Sequence, residues 1–163
     1  MARVRYTQIE SPVGRLLLAM DEAGLRHIRF LEARQGARPE PAWTRDRTPF
    51  SALIRELRAY FHGELERFDQ PLAPEGTSFQ LTVWTELSAI PYGETISYQE
   101  LAHRVGNPHA SRAVGMANGA NPIPIVIPCH RVIGSDGKLT GYGGGLAIKQ
   151  KLLALERGQL RLL

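Results

Sequence analysis

The sequence contains a single cysteine, Cys129, in 163 residues. One thiol excludes an internal disulfide and any zinc site built from several cysteines. No run of about 18 apolar residues is long enough to cross a membrane, and the opening residues, MARVRYTQIE, lack the apolar stretch of a signal peptide. We therefore expect a cytoplasmic protein that keeps its thiol reduced and has no membrane partner.

Lysine is scarce as well, since only three of the 20 basic residues are lysine and the others are arginine. Arginine suits phosphate contacts, although a genome-wide codon bias explains this composition equally well. The formal net charge is +4. Residues 79–163 carry 8 basic and 5 acidic groups, against 12 and 11 in residues 1–78. The charge is compatible with a nucleic-acid partner and does not establish one.

The first 30 residues have the pattern of antiparallel hairpins. Turn signals at residues 11–14 and 21–24 separate apolar runs. Residues 33–47 are polar, contain two prolines and predict a loop. Thr48 then resembles a helix N-cap with proline at the first helical position, and Gly63 ends that helix. Its predicted buried face comprises Leu53, Ile54, Leu57, Tyr60 and Phe61.

The stretch DQPLAPEGTS, residues 69–78, predicts a boundary between domains 1–77 and 78–163 because its prolines and glycine are typical of linkers. Ser78 is the expected cap of the next helix. Phe79, Val83, Trp84 and Leu87 are expected on one face of it.

Two short helices after residue 96 predict a helix-turn-helix. Ser97 and Glu100 have the spacing of a capping box at the start of the first helix, and the second runs from His109 to about Asn118. The second helix is rich in small residues, which permit close approach to another surface, and Arg112 could project from it into a narrow groove. Alternatively, the small residues pack against the core and Arg112 is a solvated charge.

Three prolines surround the apolar residues that precede Cys129, in the stretch ANPIPIVIPCHRVIG. Because proline removes backbone donors, we expect a buried, rigid, extended segment that holds the thiol in place. In such a segment His130 points away from Cys129, unless a helix begins there or a water bridges them. Glu156 could orient His130 from behind and so activate the thiol. An inert buried thiol and a surface carboxylate remain the alternatives.

Four blocks together resemble the O6-alkylguanine-DNA alkyltransferases, a DNA repair family also called methylated-DNA–protein-cysteine methyltransferases. They are SYQELA (97–102), RAVGMAN (112–118), NPIPIVIPCHRVIGSDGKLTGYGGG (121–145) and LLALE (152–156). The resemblance is strong over residues 78–158 and looser near the start. It implies an α+β fold in which a small ribonuclease-H-like α/β domain (1–77) precedes a mainly helical domain (78–163) with a winged helix-turn-helix.

The resemblance also implies an activity, namely single-turnover transfer of the alkyl group of O6-alkylguanine to Cys129, after minor-groove binding and nucleotide flipping. O4-alkylthymine is expected as a further substrate. Double-stranded DNA containing O6-alkylguanine is the expected partner. No cofactor, metal or obligate protein partner is expected, and cooperative self-association on DNA stays open. Some relatives build a zinc site partly from cysteines in the first domain, which has none here.

Residue by residue, the resemblance implies Cys129 as the alkyl acceptor and His130 with Glu156 as its activating relay. We expect the sulfur of Cys129 to be held in place, ionised and in line for the reaction. Asn121 corresponds to a hinge, and Tyr98 to a tyrosine that crowds the phosphate and donates to the base. Arg112 corresponds to the arginine that replaces the flipped base. The implied DNA-contacting residues are Ser97, Tyr98, Arg112, Ala113, Gly115 and Ala117. The implied guanine pocket comprises Tyr98, Cys129, Val132, Tyr142, Gly143 and Gly144.

Three other functions compete with this one. A non-enzymatic lesion-binding protein of the alkyltransferase-like type would lack the acceptor, but Cys129 is present. A cysteine hydrolase using Cys129 and His130 leaves Arg112 and the helix-turn-helix unexplained. A metal site at these two residues is disfavoured because adjacent ligands alone form a poor site, and the remaining histidines lack ligand spacing.

Overall fold

The structure is a computed structural model that describes residues 3–33, 38–160 and 162. Residues 34–37 of the predicted loop lie outside the described residues. The described elements, in chain order, are β1 (Arg5–Ile9), β2 (Leu16–Asp21), β3 (Gly24–Phe30), β4 (Thr44–Arg45), a 3₁₀ turn (Thr48–Phe50), α1 (Ser51–Phe61), α2 (Ser78–Ser88), β5 (Ile96–Ser97), α3 (Tyr98–Arg104), α4 (Ser111–Gly119), a second 3₁₀ turn (Cys129–Arg131), β6 (Val132–Ile133) and α5 (Leu146–Glu156).

The first four strands form one sheet in the order β3-β2-β1-β4. The predicted hairpins are present, since β1 pairs antiparallel with β2 and β2 with β3. Their turns contain Gly14 and Gly24, both with positive φ. The prediction that residues 33–47 form only a loop is wrong at Thr44–Arg45, because this short strand adds to the free edge of β1 in parallel.

Helix α1 has the predicted buried face but a different start. Thr48 does not cap it, because Thr48 and Pro49 lie in the preceding 3₁₀ turn and the N–H of Thr48 donates to Asp46 Oδ1 at 3.0 Å. The helix ends beside Gly63, as predicted, with the Gly63 N–H bonded to the carbonyl of Tyr60. The residues it buries are Leu53, Ile54, Leu57, Tyr60 and Phe61.

Helix α2 is capped one residue earlier than predicted. Thr77 accepts from the N–H of Gln80, and the Gln80 side chain accepts from the N–H of Thr77, so a full capping box forms there. Phe79 lies in the first turn and is 37% exposed. The other three residues of the predicted face, Val83, Trp84 and Leu87, are buried.

Helices α3 and α4 form the predicted helix pair and pack against each other, and Leu101 of α3 and Val114 of α4 are both buried. Ser97 caps α3 by accepting from the N–H of Glu100 at 3.0 Å. The second half of the predicted capping box is missing, because the Glu100 carboxylate accepts from Arg104 instead. Helix α4 begins at Ser111 and not at His109.

One cluster of buried apolar side chains runs through both halves of the chain and joins the sheet, α1 and the later helices. The sheet-then-helices order confirms the predicted α+β class. A search of the described residues for a helix both long and apolar enough to traverse a lipid bilayer finds none.

Gly24 provides a test of the sheet's packing. Its φ is +144°, and a Cβ at this position would lie 2.5 Å from the carbonyl oxygen of Pro71. We expect Gly24→Ala to reduce the free energy of unfolding by about 1–3 kcal/mol, because strain and a backbone clash both oppose the side chain. Urea denaturation measures the change.

Gly119→Ala is the matched control, since that glycine is helical and a Cβ there meets nothing within 4 Å. We expect this variant to be as stable as the wild type or slightly more stable. Equal stability of both variants would contradict the proposed clash.

Candidate active site

The segment before the cysteine is a tight turn, so the prediction of an extended segment is wrong. The N–H of Ile127 bonds to the carbonyl of Ile123 at 2.9 Å, and Ile125 has a φ of +75°. Such a φ is strained for a β-branched residue and persists only where the surroundings hold it. The amide of Asn121 bonds to both ends of the turn, from Nδ2 to the carbonyl of Ile127 at 2.8 Å and from the N–H of Ile123 to Oδ1 at 3.0 Å.

Cys129 begins the second 3₁₀ turn, directly after this segment. The alternation expected of a strand therefore does not apply to Cys129 and His130. The sequence analysis allowed two ways to bring these side chains together, a helix that begins here or a bridging water, and the 3₁₀ turn is a helical start of the first kind. The thiol residue is 6% exposed, and its carbonyl accepts from Asn118 Nδ2 at 3.4 Å.

Burial raises the pKa of Cys129 to about 11, although a hydrogen bond from Asn121 and the charge of Lys149 act in the opposite direction. Desolvation disfavours the thiolate more than these two groups favour it. Burial therefore opposes the expected ionisation of Cys129 in the free protein, and a pKa of about 11 keeps the side chain mainly a thiol at neutral pH.

Glu156 lies at the end of α5 and is the centre of a buried polar cluster. Its Oε2 lies 2.6 Å from both His130 Nε2 and Tyr60 Oη, and its Oε1 lies 2.7 Å from Arg131 Nε. Burial alone would raise the pKa of this carboxyl, but hydrogen bonds and charges from His130 and Arg131 hold it well below its usual range. The alternative of a surface carboxylate is wrong, because Glu156 is 6% exposed.

The ring of His130 is fully buried and is oriented by Glu156. Burial lowers the pKa of His130 more than Glu156 raises it, so the ring is neutral at pH 7. With Nε2 donating to the carboxylate, Nδ1 has a free lone pair. Among the described residues Nδ1 is buried and has no hydrogen-bond partner. Such an atom can accept a proton, directly or through a water.

A cavity of about 270 Å³ opens beside the thiol and lies between the two halves of the chain. Of the predicted guanine-pocket residues, Cys129, Tyr142 and Gly143 line it. Its other lining residues are His27, Ile28, Arg29, Phe30, Ala33, Asn118, Gly119, Asn121, Pro122, Pro124 and Gly141.

Three residues predicted for this pocket, Tyr98, Val132 and Gly144, do not line this cavity. Val132 is fully buried, and its carbonyl accepts from Lys149 Nζ at 2.7 Å. Gly144 packs on Phe30, where a Cβ would come within 3.1 Å of the ring. Val132 packs in the core and Gly144 at a contact between the two halves, and their part in a guanine pocket stays a prediction.

A second, shallower hollow of about 680 Å³ adjoins the first and shares Asn118, Gly119 and residues 141–143 with it. Tyr98 and Arg112 both line this outer hollow. The hydroxyl of Tyr98 lies 2.7 Å from Thr140 Oγ1. A path thus runs from the exposed side of α4 to the thiol.

The predicted DNA-contacting residues of α3 and α4 differ in exposure. Arg112 and Ala113 are exposed, whereas Gly115 is half-buried and faces the ring of Tyr98. Ser97 is half-buried and occupied as the α3 cap. The prediction for Ala117 is wrong, because its side chain is in the core at 3% exposure.

Four further residues belong to the site although the sequence analysis assigned them no role in it. Arg131 directly follows the cysteine–histidine pair, and this position is its local signal. Asn118, Lys149 and Tyr60 lie in three different helices, and nothing in their local sequence distinguishes them. No group of three or more His, Cys, Asp and Glu side chains that could hold a metal ion lies in the part of the chain that the structure describes.

Comparisons with known proteins match the whole of this architecture. The ribonuclease-like domain of 6-O-methylguanine DNA methyltransferase matches residues 4–74, and its DNA binding domain matches residues 78–158. The methylated-DNA–protein-cysteine methyltransferase of Methanosarcina barkeri is 55% identical over 156 residues, which cover 96% of this chain and 99% of the relative. Mycobacterium tuberculosis OGT in complex with DNA has a TM-score of 0.89 at 51% identity, and the match covers 95% of this chain and 94% of that one.

The raised pKa of Cys129 predicts the pH dependence of its reactivity. We expect the rate of alkylation by iodoacetamide in the folded protein to climb about tenfold per pH unit above pH 7. The rate should level off only near the folded pKa of about 11. In urea the alkylation rate of the same thiol should level off near its ordinary pKa, about 8.5. A plateau below pH 8 in the folded protein would show that the thiol is not held protonated.

Proposed function

The chain belongs to the 6-O-methylguanine DNA methyltransferase family, and from that premise we propose that it repairs DNA by moving the alkyl group of O6-alkylguanine to Cys129. The observation that carries the proposal is the position of the thiol, which lies on the wall of a cavity between the two halves and next to the His130–Glu156 pair. O4-alkylthymine is a further substrate of the proposed activity. The boundary between the two functional domains lies at residues 77 and 78.

The proposed reaction is a displacement at carbon. The sulfur of Cys129 forms a bond to the alkyl carbon, the bond from that carbon to O6 breaks, and its electron pair leaves with guanine. The thiol proton passes through a water to Nδ1 of His130, whose Nε2 is bonded to Glu156. The base takes a proton as it leaves, for which the hydroxyl of Tyr98 is the proposed donor.

Positioning of the Cys129 sulfur contributes more to the reaction rate than the small fraction of thiolate in the resting protein. With a pKa of about 11, only about one molecule in ten thousand is a thiolate at pH 7. Alignment of two reactants can correspond to an effective molarity of about 10⁵ M or more. The Asn121-bonded turn supplies that alignment, and deprotonation accompanies base binding.

DNA reaches the site through the outer hollow in this proposal. A base inside a duplex has to be extruded, at a cost of a few kcal/mol. Arg112 is exposed at the rim of that hollow and offsets the cost by filling the vacated stack. Ala113 and Gly115 leave room on α4 for the groove, and Ser97 and Tyr98 lie at the start of α3. The protein acts in the reducing cytoplasm, where a free thiol persists.

A lesion-binding protein without chemistry is the alternative function, and the acceptor position argues against it. Cys129 is present and borders the cavity.

The thioether product has no carbonyl for water to attack, so we expect each chain to react once. Incubation with excess duplex carrying O6-methylguanine should add one methyl group per chain, at Cys129, as measured by mass spectrometry. Cys129→Ala should accept no labelled methyl. Repeated turnover with an unmodified Cys129 would contradict the proposal.

The variant Arg112→Ala tests whether Arg112 acts in extruding the base from the duplex and not in the alkyl transfer itself. We expect about a tenfold or greater loss of rate on duplex substrate, because a cost of a few kcal/mol is no longer offset. The rate on free O6-benzylguanine should stay close to that of the wild type, because a free base needs no extrusion. Arg55→Ala, which removes an exposed arginine from α1, is the charge-matched control. Equal losses on both substrates would remove this role from Arg112.

A further inference from the structure

The carboxylate behind His130 receives a hydrogen bond from the sheet-containing half of the chain. Tyr60 is on α1, 96 positions before Glu156, and its hydroxyl donates to Glu156 Oε2 at 2.6 Å. Tyr60 is fully buried. The same oxygen lies 2.6 Å from His130 Nε2. One acceptor atom is therefore shared between the ring beside the thiol and a hydroxyl from the other half.

Donors from two further parts of the chain approach Glu156. His130 and Arg131 approach from the second 3₁₀ turn, with two nitrogens of Arg131 at 2.7 and 3.0 Å from the carboxylate oxygens. The N–H of Gly93 approaches Oε1 at 3.4 Å. The ring of Tyr92 lies edge-on to Tyr60 and beneath the Arg131 guanidinium. Arg131 donates to both carboxylate oxygens and Gly93 to Oε1, so Oε2 is shared by Tyr60, His130 and Nη2 of Arg131.

We propose that Tyr60 is a positioning residue for alkyl transfer, because its hydroxyl withdraws charge from the oxygen that holds His130 and keeps that carboxylate from rotating. The proposal rests on the proposed function, in which neutral His130 receives the thiol proton. Burial and the nearby carboxylate hold the pKa of Tyr60 well above its ordinary value, so the hydroxyl stays a donor throughout the working pH range.

The sign of the effect follows from charge. A carboxylate oxygen that loses a donor carries more negative charge and stabilises a protonated imidazole more strongly. In Tyr60→Phe, the pKa of His130 should therefore rise. Because the transfer needs neutral His130, the acid limb of the pH–rate profile should move to higher pH, and the rate should fall most on that limb.

The test compares Tyr60→Phe with Tyr92→Phe. Both variants keep an aromatic ring in the same packed group, but the Tyr92 hydroxyl makes no hydrogen bond to Glu156 within the described residues. Two quantities are measured for each protein, namely the pKa of His130 by ¹⁵N NMR of its ring and the midpoint of the acid limb for methyl transfer from duplex DNA. We expect Tyr60→Phe to raise both by about 0.5–1 pH unit and Tyr92→Phe to leave both unchanged.

Equal midpoints and equal His130 pKa values in the two variants would overturn the proposal. A loss of rate in Tyr60→Phe at all pH values, with no shift of either quantity, would also overturn it, since that is what a merely structural role predicts. Should Tyr60→Phe not fold, NMR of the wild type decides. The Tyr60 hydroxyl proton should then be protected from solvent and should show cross-relaxation with the Nε2 proton of His130, and rapid exchange of that hydroxyl proton would refute the shared oxygen.

The two proposals fail in different ways. If the wild type transfers no methyl group from duplex DNA, the proposed function falls. The His130 titration by NMR needs no transfer and still tests Tyr60. If the transfer occurs and both variants titrate alike, only the role of Tyr60 falls.

Discussion

The site depends on one buried carboxylate that the fold keeps charged. An unpaired carboxylate in the interior would destabilise the protein by several kcal/mol, so Glu156 constrains everything that approaches it. Its donors come from α1, the turn before β5 and the 3₁₀ turn that carries the thiol. The need to supply hydrogen bonds to the Glu156 carboxylate constrains the end of α5 and the start of the 3₁₀ turn. The position of Cys129 follows from these constraints as much as from its own contacts.

The burial that holds the thiol also suppresses its ionisation. The pKa of Cys129 is raised, whereas that of Glu156 is lowered, although both groups are buried. The difference lies in the donors, since Glu156 accepts hydrogen bonds from several groups, whereas the thiolate would have one amide hydrogen bond and the charge of Lys149. An acceptor that reacts only once gains from this arrangement, because a resting thiol resists other electrophiles and oxidants.

The parts of the fold that could be predicted from the sequence are those set by local patterns. Alternation and turn residues predict the hairpins, and helical spacing predicts the buried face of α1. The pattern Cys129–His130 with Glu156 identified the central chemical groups because each is an unusual residue in an apolar setting. Domain-level fold and function came from the resemblance, which the matches to the family confirm.

The errors arise where one local pattern permits two structures. Prolines exclude a helix and a central strand, but they do not distinguish an extended segment from a turn that Asn121 holds closed. Small residues on α4 suggest an open surface, yet Ala117 lies three positions after Val114 and shares its buried face. The carbonyl of Val132 is taken by Lys149, a partner 17 positions away that no local signal reveals.

The sheet-containing half is part of the site in two separate ways. Residues 27–30 of β3 form one wall of the cavity, and the ring of Phe30 packs edge-on against Tyr142 at 5.7 Å between centroids. Tyr60 reaches the carboxylate from α1. A helical half separated from the sheet would lose a wall of the cavity beside Cys129 and a donor to the buried Glu156 carboxylate. The two halves share one core, and they divide the site between them because neither supplies both the thiol and all the groups that hold it in place.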